Sequence, residues 1–213
     1  RAFLYLGSGA GLGTSAAWTA ESDQAGAGFG YSVATAGDGN GDGYSDVIVG
    51  ARFYDNVQSD EGQASVYLGF GAGLSTSAAW TAESNQDFAY FGGSVAAAGD
   101  VNGDGYSDVI VGSSDYDNVQ SNEGRAFVYL GSGTGPSTSP AWTAESDQND
   151  ARFGVSVATA GDVNGDGYSD VIVGSYLYDN GQTEEGRGFV YLGSGAGLST
   201  NAAWTAESNQ SDA

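Results

Sequence analysis

Nine residues, Asp38 to Asp46, read DGNGDGYSD, and DVNGDGYSD follows at Asp100 to Asp108 and again at Asp162 to Asp170. Oxygen-bearing side chains fall at positions 1, 3, 5 and 9 of each stretch, glycine at position 6 permits a sharp turn, and tyrosine at position 7 offers its backbone carbonyl. Hard oxygen donors at alternate positions of a turning chain suit a calcium ion. The predicted ligands are Asp38, Asn40, Asp42, the Tyr44 carbonyl and Asp46. They recur as Asp100, Asn102, Asp104, Tyr106 and Asp108, and as Asp162, Asn164, Asp166, Tyr168 and Asp170, with water completing each shell. Asn-Gly-Asp-Gly is also a good turn by itself, but a turn gives no reason to hold mutually repelling aspartates together at identical spacing each time. Position 12 is Val49, Val111 or Val173 where an EF-hand has a bidentate glutamate, and a strand follows in place of a helix, so the loop is of another kind.

The rest of the composition confines these ions to a structural role. The 213 residues include 5 arginines, no lysine, 27 acidic residues and no His, Cys or Met, for a formal net charge of −22. Thiolate or imidazole metal sites, disulfides, catalytic thiols, imidazole bases and Schiff-base lysines therefore have no residues to build them. A charge of −22 repels phosphate backbones and anionic headgroups, which argues against binding nucleic acid or a membrane surface and in favour of divalent cations, while membrane insertion is disfavoured by the want of a long apolar run. Three bound calcium ions, about one per loop, would bring the charge to −16. With 40% apolar residues the chain can bury a core, and 37 glycines against 2 prolines point to many tight turns. No apolar run approaches the ~20 residues of a membrane helix.

The loops must be positioned by a repeated element. Trp18, Trp80, Trp142 and Trp204 recur every 62 residues, as do Asp38, Asp100 and Asp162. Within one period, Phe91 to Ser146, four strands are predicted: Ser94 to Ala98, Asp108 to Gly112, Arg125 to Gly131 and Ala141 to Ser146. DVIVG reads as a strand buried on both faces, AFVYL as a packed sheet surface, and helical periodicity is absent. Four strands per period suit a blade that must stack on its neighbours. The fold class is therefore all-β, a β-propeller of four-stranded antiparallel blades. The chain divides into a half blade at 1–24 and blades at 25–86, 87–148 and 149–213, or 14 strands. Both ends fall inside the pattern, as expected of a segment from a seven-bladed or longer array.

FG at Phe29-Gly30, Phe91-Gly92 and Phe153-Gly154, followed by SVA, the acidic loop, DVIVG and VYLG, resembles the FG-GAP repeat of integrin α-subunit propellers and their bacterial relatives over essentially the whole chain. The GAP element is altered to Gly50-Ala51-Arg52, Gly112-Ser113-Ser114 and Gly174-Ser175-Tyr176. The resemblance implies a seven-bladed propeller, calcium between the two inner strands, and adhesion or ligand recognition in place of catalysis. Fungal lectins of similar architecture bind sugars between blades, but no sugar-binding motif carries over.

Differences between the repeats gather before the first strand, at 25–28, 87–90 and 149–152, and after the second, at 51–53, 113–115 and 175–177. In an up-and-down blade these loops share one end and the acidic loops lie at the other. Recognition usually sits on variable loops of a rigid scaffold, which nominates Phe53, Phe88, Tyr90, Arg152, Tyr176 and Leu177 as contacts for a protein or glycan ligand; drift in exposed loops is the competing reading. The tryptophans read as packing residues, Arg125 and Arg187 as partners of nearby acids, and Asn209-Gln210-Ser211 as a glycosylation-type triplet. Four functions are weighed: an extracellular calcium-stabilised adhesion or recognition module, a lectin, a self-assembling surface or fibre array, and a carboxylate enzyme. The last is disfavoured because the best-placed carboxylates repeat identically and never form one unique pair. The open blade edges call for further repeats or another copy.

Overall fold

The computed structural model describes residues 1–210, so Ser211 of the glycosylation-type triplet lies outside the described residues. It is all-β. Strands β1 (Ala2–Leu4) and β4 (Trp18–Ala20) pair antiparallel, and between them β2 (Gly7–Ser8) and β3 (Gly11–Leu12) form a short hairpin. A first full sheet joins β5 (Phe29–Gly37), β6 (Asp46–Ala51), β7 (Gln63–Tyr67) and β10 (Trp80–Glu83), with a hairpin of β8 (Gly69–Phe70) and β9 (Gly73–Leu74) between the last two. The middle sheet holds β11 (Ser94–Gly99), β12 (Asp108–Ser113), β13 (Arg125–Tyr129) and β14 (Trp142–Glu145). The last sheet holds β15 (Phe153–Gly161), β16 (Asp170–Ser175), β17 (Arg187–Tyr191) and β18 (Trp204–Glu207). Each full sheet is a simple antiparallel meander of the kind expected of FG-GAP propeller blades, and the chain carries about three and a half of them.

Alternation along the strands explains why the sheets stack. In the middle sheet Ile110, Ala126, Val128 and Trp142 face the last sheet, where they meet Phe153, Val157, Val171, Val173, Phe189 and Tyr191. The opposite parity, Val109, Val111, Phe127 and Tyr129, faces the first full sheet and packs on Ile48, Ala64, Val66 and Trp80. Val109, Ile110 and Val111 are all 0% exposed, as a strand covered on both faces should be. At ~25 cal/mol per Å2 of apolar surface, burying a side chain of this size contributes about 1.5–3 kcal/mol, so the interfaces between sheets are the main source of stability.

The FG pair and the glycine of the altered GAP element meet across these interfaces. Phe91 and Phe153 are fully buried, each edge-on to an aromatic residue of its own sheet, Phe127 at 5.3 Å and Phe189 at 5.2 Å. The glycine after each phenylalanine presents its carbonyl to the glycine of the preceding sheet: a Cβ on Gly112 would lie 1.9 Å from the Gly154 carbonyl oxygen, and one on Gly50 equally close to that of Gly92. The innermost strands are further tied by Ser32 Oγ accepting from Val95 N at 3.0 Å and Ser94 Oγ accepting from Val157 N at 2.9 Å. Three of the four tryptophans also reach forward: the indole N–H of Trp18, Trp80 and Trp142 donates at 2.9 Å to the carbonyl of Ser75, Ser137 and Ser199, respectively, in the following sheet.

Candidate metal centre and recognition face

The acidic loops join the first and second strands of each full sheet, at the end opposite the variable loops. In the first loop, Asp38 accepts from the amides of Asp42 at 3.0 Å and Gly43 at 2.9 Å, and Asp42 accepts from the Tyr44 amide at 3.0 Å. Asn40 Nδ2 donates to Asp42 Oδ2 at 2.9 Å. The same contacts recur around Asp100, Asn102, Asp104 and Tyr106 and around Asp162, Asn164, Asp166 and Tyr168. Side-chain oxygens at positions 1, 3 and 5 thus turn into the loop. The amides of Gly167, Gly165 and Asp166 hold the Asp162 carboxylate below its ordinary range, despite some desolvation.

Position 9 differs. Asp46, Asp108 and Asp170 are fully buried. One oxygen of each accepts from its own loop, at Gly39 N (2.9 Å), Val101 N (2.8 Å) or Val163 N (2.8 Å). The other accepts from the glycine two residues beyond the third strand, at Gly69 N, Gly131 N or Gly193 N, each at 2.8 Å. This carboxylate therefore staples the loop to its own sheet while each oxygen keeps a second lone pair. Burial pushes Asp46 up and Asp108 up to about 6, against the pull of their amide partners. Neighbouring loops are chained together, since the carbonyl of Asp38 accepts from Ser107 N at 3.0 Å and that of Asp100 from Ser169 N at 2.9 Å. Gly41, at a φ of 72°, lies under the Tyr106 ring, where a Cβ would come within 2.7 Å.

At the opposite end the structure brings several of the predicted contact residues together. Phe53 is edge-on to Tyr31 at 6.1 Å and to Tyr90 at 5.7 Å. Arg152 and Tyr176 line a cavity of about 290 Å3 with Arg52, Ser114, Asp115 and Val155. Phe88 is exposed and outside this cavity, and Leu177 is half-buried, its amide donating to Ala151 O at 3.4 Å. The residue that sequence reasoning missed is Arg52. Its guanidinium lies over Tyr90 at 4.5 Å, Tyr31 at 5.2 Å and Phe53 at 5.3 Å, and it donates to the Tyr31 hydroxyl at 2.9 Å. The other four arginines pair with Glu21, Glu145, Asp115 and Glu207; among the described residues Arg52 has no carboxylate partner. Its position inside the altered Gly50-Ala51-Arg52 element was the available signal.

Stacked four-stranded meanders, each with an acidic loop between its first two strands, define a β-propeller repeat module. The FG-GAP repeat family matches residues 29–67, 91–129 and 153–192, more than half of the chain, and the chain belongs to this family. It is 42% identical over 110 residues to integrin alpha-PS2 of Drosophila melanogaster, covering 48% of this chain and 8% of that protein. It is 28% identical over 168 residues to integrin alpha-5 of Xenopus laevis (75% and 16%), and 42% identical over 85 residues to Xenopus laevis integrin alpha-4 (39% and 8%). The chain thus spans less than a fifth of the length of these relatives.

Proposed function

We propose that the chain is a calcium-stabilised, non-catalytic propeller module for adhesion or ligand recognition, acting outside the cell or at its surface. The observation that carries the recognition half is Arg52. A cation without an acidic partner, in a chain of charge −22, is held by three aromatic rings beside a cavity that Arg152 and Tyr176 also line. Rings that fix an arginine before binding lower the ordering cost of contact, and arginine and tyrosine are the residues that most often dominate interfaces. The geometry favours a protein or glycan ligand with an acidic group. Phe53, Tyr90, Arg152 and Tyr176 are the nearest candidate contacts, with Phe88 and Leu177 on the rim.

Calcium in the three loops supports this face from the other end of the same strands. The donors are Asp38, Asn40, Asp42, the Tyr44 carbonyl and Asp46, with their equivalents 62 and 124 residues on. An ion that binds only the folded state at a thousandfold excess over its Kd stabilises by about 4 kcal/mol per site. The blades divide at 25–86, 87–148 and 149–213 after a half blade at 1–24, and the exposed faces of the terminal sheets are covered by further repeats or by another copy. Resemblance to integrin α subunits supports the adhesion assignment, and among the described residues no helix is long and apolar enough to cross a membrane. A lectin acting through the ring cluster around Arg52 is the second reading.

A calcium titration followed by thermal unfolding and solution mass, with magnesium and EDTA as controls, tests the metal half. Binding of ions in the loops with a rise in melting temperature supports it, no response overturns it, and a mass of several chains shows that copies cover the open faces. Glycan and acidic-peptide binding to wild type and Arg52→Ala tests the recognition half, with loss of binding in the variant expected.

A further inference from the structure

Among the described residues, three carboxylates bring oxygens within 4.8 Å of one another at one place, and it lies outside the acidic loops: Glu123, Glu145 and Asp147. Glu123 precedes β13, and Glu145 and Asp147 sit at and just beyond the end of β14. The acidic loop of the same sheet is at the far end of β12, about 20 Å away along a six-residue strand. Glu123 is 0% exposed. Its Oε1 accepts from the amides of Asn118 at 2.8 Å and Val119 at 3.1 Å, and its Oε2, buried with it, has no hydrogen-bond partner. Glu145 accepts from Asn118 Nδ2 at 2.8 Å and pairs with Arg125, while Asp147 is exposed and opens the cluster to solvent.

We propose that Glu123, Glu145 and Asp147 bind one hard divalent cation, of the calcium class, at a site separate from the acidic loops. Three carboxylates against the single guanidinium of Arg125 leave a local charge of −2, which one such ion neutralises. The buried, unpartnered oxygen of Glu123 supplies the inner donor, Glu145 a second, and exposed Asp147 the outer one and the route of entry. All-oxygen donors select calcium, magnesium or manganese over softer metals.

The repeats provide an internal control. Buried glutamates with unpartnered oxygens recur at Glu61 and Glu185, facing Glu83 and Glu207, but the outer acid is replaced by Asn85 and Asn209. The middle sheet alone carries the full set.

Metal-to-protein ratios of the full chain, after equilibration with calcium and removal of free ion, test the site. Asp147→Asn, which installs the residue its sister repeats already carry and so keeps the fold, is expected to hold one ion fewer than wild type. Glu123→Gln is expected to show the same loss, and Asn85→Asp to gain one ion. The loss of one ion is read against whatever the acidic loops hold, so it stands even if those loops bind nothing. Equal ratios in wild type and Asp147→Asn would overturn the proposal. So would an infrared band from a protonated carboxylic acid that persists in calcium and vanishes in Glu123→Gln, because Glu123 would then be neutralised by a proton.

Discussion

Trp142 and Trp204 occupy the same place in the same four-residue strand, WTAE, yet Trp142 is 8% exposed and Trp204 is 54% exposed. The difference is the neighbour. Trp142 lies edge-on to Tyr191 at 4.8 Å and donates to Ser199 O, both in the following sheet. Trp204 has no following sheet among the described residues. Ile172 shows the same contrast, 36% exposed where Ile48 and Ile110 are at 0%. A blade of this kind does not own its core: half of each sheet's apolar residues are completed by the next sheet, as expected of repeats that cannot bury their faces alone.

Truncating the two tryptophans is the strongest way to break this comparison. Trp142→Ala is expected to lower stability by about 3–5 kcal/mol, through lost burial and an unfilled cavity, whereas Trp204→Ala should change it by less than about 1 kcal/mol. Chemical denaturation of both variants measures the difference. Similar losses in the two would mean that the outward face of the last sheet is covered in solution, and the chain's mass would then exceed that of a monomer.

The glycines after the second strand sharpen the same point through backbone approach. Gly112→Ala drives a methyl group against the Gly154 carbonyl, a backbone atom that cannot rotate away, and is expected to cost about 3 kcal/mol. At Gly174 the nearest atom to a new Cβ is the Ser156 hydroxyl at 2.4 Å, the mobile end of a side chain. Gly174→Ala should therefore cost about 1 kcal/mol or less. Thermal unfolding of the pair checks it; equal melting temperatures would place a further backbone against Gly174 as well.

These contrasts also explain what was legible beforehand. Period, strand order and acidic loops follow from local chemistry, because each blade repeats DVIVG and NGDGYSD in nearly the same words. The repeat pattern predicts 14 strands, and among the described residues the structure has those 14 plus two short hairpins at β2–β3 and β8–β9, where glycine-rich turns pair briefly. Arg52 was not legible, because its three rings come from residues 31, 53 and 90 in two different repeats. Nor was the burial of Glu61, Glu123 and Glu185, because nothing in EGQ or EGR marks the acid as an interior residue. Asp46 read only as a metal donor; its role as a staple depends on Gly69, 23 residues away.

Alkaline pH probes the interfaces through their tyrosines. Tyr67, Tyr129 and Tyr191 each lie edge-on to the tryptophan of the preceding sheet, and burial pushes all three phenols up, Tyr191 to about 12. A phenol with a raised folded-state pKa stabilises fully below its unfolded value near 10, and that contribution is lost as pH rises toward the folded value. For Tyr191 the loss between pH ~10 and ~12 is about 1 kcal/mol per pH unit. Unfolding followed by denaturant at pH 9 and pH 11 is expected to show the drop. In Tyr191→Phe the drop is expected to shrink by one phenol's share, since that variant keeps the ring against Trp142 and removes the proton.

The smallest effect is expected where the interior and open sheets differ least. Arg125 pairs with Glu145 and lies over Tyr116 at 4.5 Å; Arg187 pairs with Glu207 at 3.5 Å and lies over Tyr178 at 5.1 Å. All four charged side chains are about one-fifth exposed, at 19–22%. These contacts run within one sheet, between registered partners of the third and fourth strands, so the presence of a following sheet should not alter them. Arg125→Ala and Arg187→Ala are each expected to cost about 1 kcal/mol or less in the calcium-free chain, through a screened ion pair and a weak cation–π contact. Adding calcium separates them: with Arg125 gone, nothing offsets the three carboxylates of the proposed site beside it, so the ion there should bind more tightly. Arg187, whose repeat carries Asn209 in place of the outer acid, should leave ion binding unchanged. Calcium titrations of the two variants, side by side, read that difference directly.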